Sequence, residues 1–184
     1  MLRITKILFL LLLTISSVKA NEVINKIVIN GNQRISEETI KIYGEIDKNQ
    51  KINENEINLI IKNLYSTNFF EDVDVSYLNK ILTINLKEYP IVNQLIIIGE
   101  KSNKIKNQIK KLISLKEKRS FIKSKLSNDL EIIKTLYASI GYNFSIVEAK
   151  IKEIDNNNYD LIFEIKRGKE SRITSINFIG DKKI

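Results

Sequence analysis

The chain has 184 residues, with 30 Lys and Arg against 22 Asp and Glu, a formal charge of +8, and neither cysteine nor histidine. That composition excludes disulfides, thiolate metal sites and the common zinc sites, and with them thiol nucleophiles and imidazole general bases. Lys and Glu are spread through every segment and the aromatic residues sit at core-like positions, so the clustered basic and aromatic pattern of a nucleic-acid-binding protein is missing.

Residues 1–20 read as a secretory signal peptide. Arg3 and Lys6 form a positive start, Ile7 to Ile15 is apolar except for Thr14, and Val18-Lys19-Ala20 places small residues where a signal peptidase reads. An apolar run near ten residues is too short to span about 30 Å of hydrocarbon, which argues against a permanent anchor. Cleavage before Asn21 would place the mature chain in an exported compartment and remove Arg3, Lys6 and Lys19, lowering the charge excess by three. The abundance of Lys, Asn and Ile is what an A/T-rich genome supplies.

From there one pattern recurs: an apolar strand running into a glycine turn. It appears at Ile24 to Ile35, Val92 to Asn103 and Ile173 to Ile184, with glycines at 31, 99 and 180, a spacing too long for most solenoid repeats and suited to tandem small domains. In the first unit Lys26 to Asn30 is the strand and Asn30-Gly31-Asn32 the turn. Ser36 then reads as an N-cap with Glu37 and Glu38 in the first turn, opening a short helix to about Tyr43 that Gly44 ends. Asn53, followed by Glu56, caps a second helix whose residues Ile57, Ile60, Ile61, Leu64 and Tyr65 form one apolar stripe facing a sheet. Val73, Val75 and Tyr77 alternate with Asp72, Asp74 and Ser76, and Leu82, Ile84 and Leu86 with Thr83, Asn85 and Lys87, the pattern of strands buried on one face and wet on the other.

Pro90 separates this unit from a second one. There the strand is Gln94 to Ile98, a helix covers about Asn103 to Ile113, and a longer helix runs from near Phe121 to Ser139 on Leu126, Leu130, Ile133, Leu136 and Tyr137, ended by Gly141. Strands near Phe144 to Ile151 and Tyr159 to Lys166 follow, joined by the turn-rich tract Asp155-Asn156-Asn157-Asn158. The third copy holds only its strand and turn. The expected organisation is a signal peptide at 1–20, domains at 21–90 and 91–169, and the start of a third at 170–184, each complete domain being α+β with a three-stranded sheet packed on two helices in the order β-α-α-β-β.

That order, repeated in tandem behind a signal peptide, resembles the polypeptide-transport-associated (POTRA) domains of outer-membrane protein assembly factors of Gram-negative bacteria. Leu64-Tyr65-Ser66-Thr67-Asn68-Phe69-Phe70-Glu71-Asp72-Val73 is similar to the family's Leu-Tyr, spacer, Phe-Phe-Glu-Asp-Val signature; Ile29 to Ile35 and Tyr137 to Tyr142 extend the likeness, which covers Val23 to Ile184. The resemblance implies periplasmic binding modules, non-catalytic and without cofactor, whose partners are unfolded outer-membrane proteins and accessory lipoproteins of the assembly machinery. Members of the family continue into further POTRA domains and a transmembrane β-barrel, and no strand here shows a barrel's lipid-facing alternation. The sequence looks like the amino-terminal part of such a factor, its membrane association resting on the barrel; the alternative is the POTRA region of a two-partner secretion transporter or a translocation-and-assembly factor.

No catalytic constellation is found. Glu71, Asp72 and Asp74 invite a metal or glycosyl-transfer reading, but Asp72 and Asp74 share the solvated face opposite Val73 and Val75. Phe69 and Phe70 read as packing of the helix end onto the sheet, and Asn30-Gly31 lacks the Gly-Lys-Ser/Thr of a phosphate loop. What remains is the backbone: an exposed sheet edge can add an extended peptide through main-chain hydrogen bonds with little sequence preference. If the middle strand of each unit lies at an edge, the candidate binding residues are Val73, Asp74, Val75, Ser76 and Tyr77 in the first and Phe144, Ser145, Ile146, Val147 and Glu148 in the second, the latter strand running on to Lys150.

Overall fold

The computed structural model describes residues 22–155, 157–177 and 179–180. The expected signal peptide and the last four residues of the third copy lie outside them. The described residues fall into two compact units, the first ending at Lys87 and the second beginning at Glu88, each built on its own core.

In the first unit, β1 (Glu22–Val23) pairs antiparallel with β3 (Lys51–Ile52), beside a three-stranded sheet of β2 (Lys26–Asn30), β4 (Phe70–Leu78) and β5 (Ile81–Glu88) in the order β2-β5-β4. β2 runs parallel to β5, from Lys26 opposite Ile81 to Asn30 opposite Asn85. A parallel neighbour needs a crossover, and here α1 (Glu37–Gly44), α2 (Glu54–Ser66) and β4 supply it. Ser36 and Asn53 cap the helices as expected: the Ser36 hydroxyl accepts from the Thr39 amide and the Asn53 carbonyl oxygen from the Glu56 amide. Ile40, Ile60, Leu64, Phe70, Val73, Leu82 and Ile84 are buried between helices and sheet.

Gly44 is not the residue that turns the chain out of α1. The left-handed position is Glu45 (φ 54°), whose amide bonds back to the Ile42 carbonyl while Ile46 bonds to Lys41; this is a Schellman end with a non-glycine residue at its strained position. Gly44 serves for room instead, since a β-carbon there would come within 2.6 Å of the Ile46 side chain. Tyr65 also departs from the expected stripe. Ile60 and Leu64 are buried, but Tyr65 is 42% exposed, at the margin of the helix face.

The second unit repeats the plan. β6 (Ile91–Ile98), β7 (Ile146–Asp155) and β8 (Asn158–Lys166) form a sheet in the order β6-β8-β7, with β6 parallel and β7 antiparallel to the central β8. β6 begins three residues earlier than the hydropathy suggested, because a register shift between Val92 and Gln94 lets Ile91 and Val92 continue the pairing. Asn93 lies at that shift and donates to Asp160 across the strands at 2.8 Å. The helices are α3 (Asn103–Leu112) and α4 (Lys123–Ser139), which cover Leu95, Ile97, Leu161, Phe163 and Ile165 with Ile109, Ile133, Leu136 and Tyr137. The described residues of the third copy, 173–177 and 179–180, carry no helix or strand, and Ile173, Ile176 and Ile179 are exposed.

The strand-glycine repeat has one physical cause in both units. Gly31 (φ 83°) and Gly99 (φ 86°) adopt a backbone that side chains rarely tolerate, and each lies against the carbonyl of the central strand: a β-carbon would sit 2.0 Å from the Leu86 oxygen or 1.9 Å from the Ile165 oxygen. The parallel strand therefore leaves the sheet at the same place in each unit only if glycine is there.

Candidate functional site

The central strands β5 and β8 are flanked on both sides, so β4 and β7 each lie at a sheet edge, the condition on which the candidate residues depended. In β4 the side chains of Val73 and Val75 are buried, Tyr77 is half-buried, and Asp72, Asp74 and Ser76 are exposed. The hairpin to β5 has a two-residue loop, Asn79-Lys80, with both φ positive (49° and 64°), the type I′ geometry that matches strand twist. In such a hairpin the residues flanking the loop bond to each other, which turns the backbone of Leu78 toward β5. By alternation, the backbones of Ser76 and Asp74 also point inward, and those of Tyr77, Val75 and Val73 point to the open edge.

One of these edge amides is occupied. The Tyr65 hydroxyl accepts from the Val73 N–H at 3.2 Å and donates to the Asp72 carboxylate at 3.2 Å. The acidic cluster around it is tied up within the fold. Glu71 pairs with Lys87 at 2.7 Å, and Asp74 accepts from Asn85, which in turn accepts from Asn30, forming a polar ladder across the wet face of all three strands. Among the described residues no group of three or more carboxylates is arranged to hold a metal ion. Phe69 and Phe70 are packing residues: Phe70 is buried, and Phe69 stands edge-on to both Tyr43 and Phe70.

In the second unit the edge strand starts two residues later than expected. Phe144 and Ser145 lie before β7 rather than in it, because the chain is still turning there: the Ser145 amide bonds back to the Tyr142 carbonyl, and the Phe144 carbonyl lies against Gly168. Phe144 is left 78% exposed. Ile146, Val147 and Glu148 are in the strand, paired with Lys166, Ile165 and Glu164. The strand then continues to Asp155, past the end of its core contacts, so that Ile151 and Ile154 are exposed. On its wet face Lys150 bonds the Glu164 carboxylate at 2.8 Å, and that bond, with the attraction behind it, raises the ammonium's pKa.

Two features went unread in the sequence. The opposite edge of the first sheet, β2, borders a groove of about 500 Å³ lined by Asn25, Ile27, Lys41 and Ile42, with Ile42 74% exposed. In the second unit, the residue after the turn glycine is a buried carboxylate. Glu100 accepts from the Tyr137 hydroxyl at 2.5 Å and from the Ser102 amide at 2.6 Å. Burial alone would raise its pKa, but those hydrogen bonds and the charge of Arg167 together carry it below the ordinary value. Burial, followed by the bond to Glu100, pushes the Tyr137 hydroxyl far upward. Tyr137 is thus locked in its core, whereas Tyr65, the corresponding tyrosine of the first unit's Leu-Tyr pair, reaches the sheet edge.

The family model of POTRA, described as surface antigen variable number repeat, matches residues 22–89 and 90–168. An outer membrane protein assembly factor BamA from Neorickettsia risticii is 28% identical over 164 residues, covering 88% of this chain and 22% of that protein. The BamA of Neisseria meningitidis serogroup B is 28% identical over 166 residues, 89% of this chain and 21% of its own length. The chain therefore spans about a fifth of the curated relatives it matches. Among solved structures, the N-terminal domain of Omp85 from Thermosynechococcus elongatus superposes with a TM-score of 0.51 at 15% identity, over 79% of this chain and 63% of that one.

Proposed function

The chain belongs to the POTRA family through two tandem domains of the Omp85/BamA type, and from that premise we propose that it is the periplasmic binding region of an outer-membrane β-barrel assembly factor. It works without catalysis, receiving unfolded outer-membrane proteins or docking accessory lipoprotein subunits by adding an extended strand to its sheet edges. The observation that carries this reading is topological. In each unit the first strand of the hairpin lies at a sheet edge with part of its backbone facing outward, and main-chain hydrogen bonding accepts many sequences because every peptide offers the same donors and acceptors. On this reading Val73 to Tyr77 and Ile146 to Glu148 are the receiving segments, and β7 offers the longer one, reaching Asp155.

Among the described residues no helix is long and apolar enough to cross a membrane, and membrane attachment is assigned to a barrel of the kind the family carries. The test is backbone amide exchange followed by NMR, with and without an unfolded outer-membrane protein segment. Slowed exchange in β4 or β7, with the central strands unchanged, is the expected result. Unchanged exchange in both edge strands at saturating peptide would overturn the proposal.

A further inference from the structure

The two edge strands are not equally open. Val73 is one of the outward backbone groups of β4, and its N–H is held by the Tyr65 hydroxyl, which is itself oriented by donating to Asp72. An added strand must hydrogen-bond the outward amides in succession, so it cannot complete its ladder at Val73 while that contact stands. In the second unit the equivalent Tyr137 is turned into the core and bonded to Glu100, away from β7. The same Leu-Tyr position thus makes a core contact in one domain and an edge contact in the other.

We infer that Tyr65 is a latch on the β4 edge: its hydroxyl occupies the Val73 amide that an extended peptide would use, so strand addition to the first domain is restricted until the latch opens, while β7 has no such restraint from Tyr137. This rests on the strand-addition reading above. The latch is suited to opening. Tyr65 lies at the end of α2 and is 42% exposed, and its bond to Asp72 is exposed, so water replaces that bond at small cost, while the amide of the buried Val73 is the group a peptide carbonyl would take over.

The test uses the chain with Tyr65→Phe, which keeps the ring and removes only the hydroxyl, and with Asp72→Ala, which removes the group that orients it. The probe is a soluble ten-residue peptide of alternating Val and Thr with Lys at both ends. In Tyr65→Phe without peptide, exchange of the Val73 amide should accelerate several-fold. With peptide, the affinity read from β4 amide shifts should rise about fivefold, the worth of one hydrogen bond no longer displaced, while the affinity read from β7 stays unchanged. Asp72→Ala should move β4 in the same direction by a smaller factor.

If β7 responds to peptide but β4 of Tyr65→Phe binds no better than wild type, the latch is refuted and strand addition stands. If neither edge responds in any variant, strand addition itself fails. If Val73 exchange in the peptide-free chain is the same with and without the Tyr65 hydroxyl, the contact does not restrain the edge and the latch is likewise refuted.

Discussion

Replacing Gly99 with Ala tests the physical account of the repeat. The new β-carbon would lie 1.9 Å from the Ile165 carbonyl oxygen, where contacts under 3.0 Å essentially never occur, so the end of β6 must move by more than about 1 Å. Holding an L-residue at φ 86° adds roughly 1–2 kcal/mol. Displacing the strand end loosens the pairing of Ile98 with Glu164, for about 1 kcal/mol per hydrogen bond lost. With one such bond lost the sum is about 2–3 kcal/mol, which in a domain of this size corresponds to a fall in Tm of roughly 8–24 °C. Thermal unfolding by circular dichroism gives the size of the effect, and faster amide exchange at Leu161 and Phe163 in the central strand assigns it to the second unit. Gly180→Ala is the control, because nothing lies within 4 Å of a β-carbon there. A Tm loss of less than about 4 °C for Gly99→Ala would show that β6 relaxes freely and that close approach to the central strand is not what fixes glycine at this position; the conversion again follows the size scaling of unfolding entropy.

Further outcomes follow from other contacts. Glu45→Gly relieves a left-handed non-glycine residue at the end of α1 and should raise stability by about 1 kcal/mol in urea unfolding. Glu100, with its pKa lowered in the folded state, contributes stability that is full above its ordinary value of 4.5 and is lost as pH falls below it. Glu100→Gln should therefore flatten the acid limb of a stability-against-pH profile; Tyr137, with its pKa raised, contributes stability that is lost as pH rises through and above 10.0, and Tyr137→Phe should flatten the alkaline limb. Asp129→Ala should cost about 3 kcal/mol in the same urea assay, because the fully buried Asp129 carboxylate accepts from both the Ser114 and Leu115 amides and both donors lose their partner; Asp129→Asn, which keeps one oxygen acceptor, should recover part of the loss.

Much of this architecture follows from local sequence because its signals are local. The caps at Ser36 and Asn53 depend on a side-chain oxygen three residues before the amide it accepts from, and the alternation of Val73, Val75 and Tyr77 or of Leu82, Ile84 and Leu86 depends only on the two-residue period of a strand. Glycine at 31 and 99 marked the unit period, and its structural meaning is the same in both. Asp129 was also within reach: a charged residue three positions after Leu126 and one before Leu130 interrupts an apolar stripe, which marks a buried polar group with a partner.

What tertiary structure alone decided is which groups meet across long separations. Strand order is set by which strand pairs in the middle, and no local period encodes that, so only the fold places β4 and β7 at edges. The start of β7 at Ile146 depends on a turn tied to Tyr142 and Gly168, and the assignment of the left-handed residue to Glu45 rather than Gly44 depends on where Ile46 packs. Tyr65 and Tyr137 end the same Leu-Tyr pattern in two copies of one domain, yet one hydroxyl meets an edge amide and the other a buried carboxylate 37 residues away in sequence. The sequence by itself determined the helix caps, the strand alternation and the absence of cysteine and histidine chemistry, because composition and short periods are properties of the chain. Which backbone groups stand open to a partner, and which are already held, depends on contacts that exist only once the chain is folded.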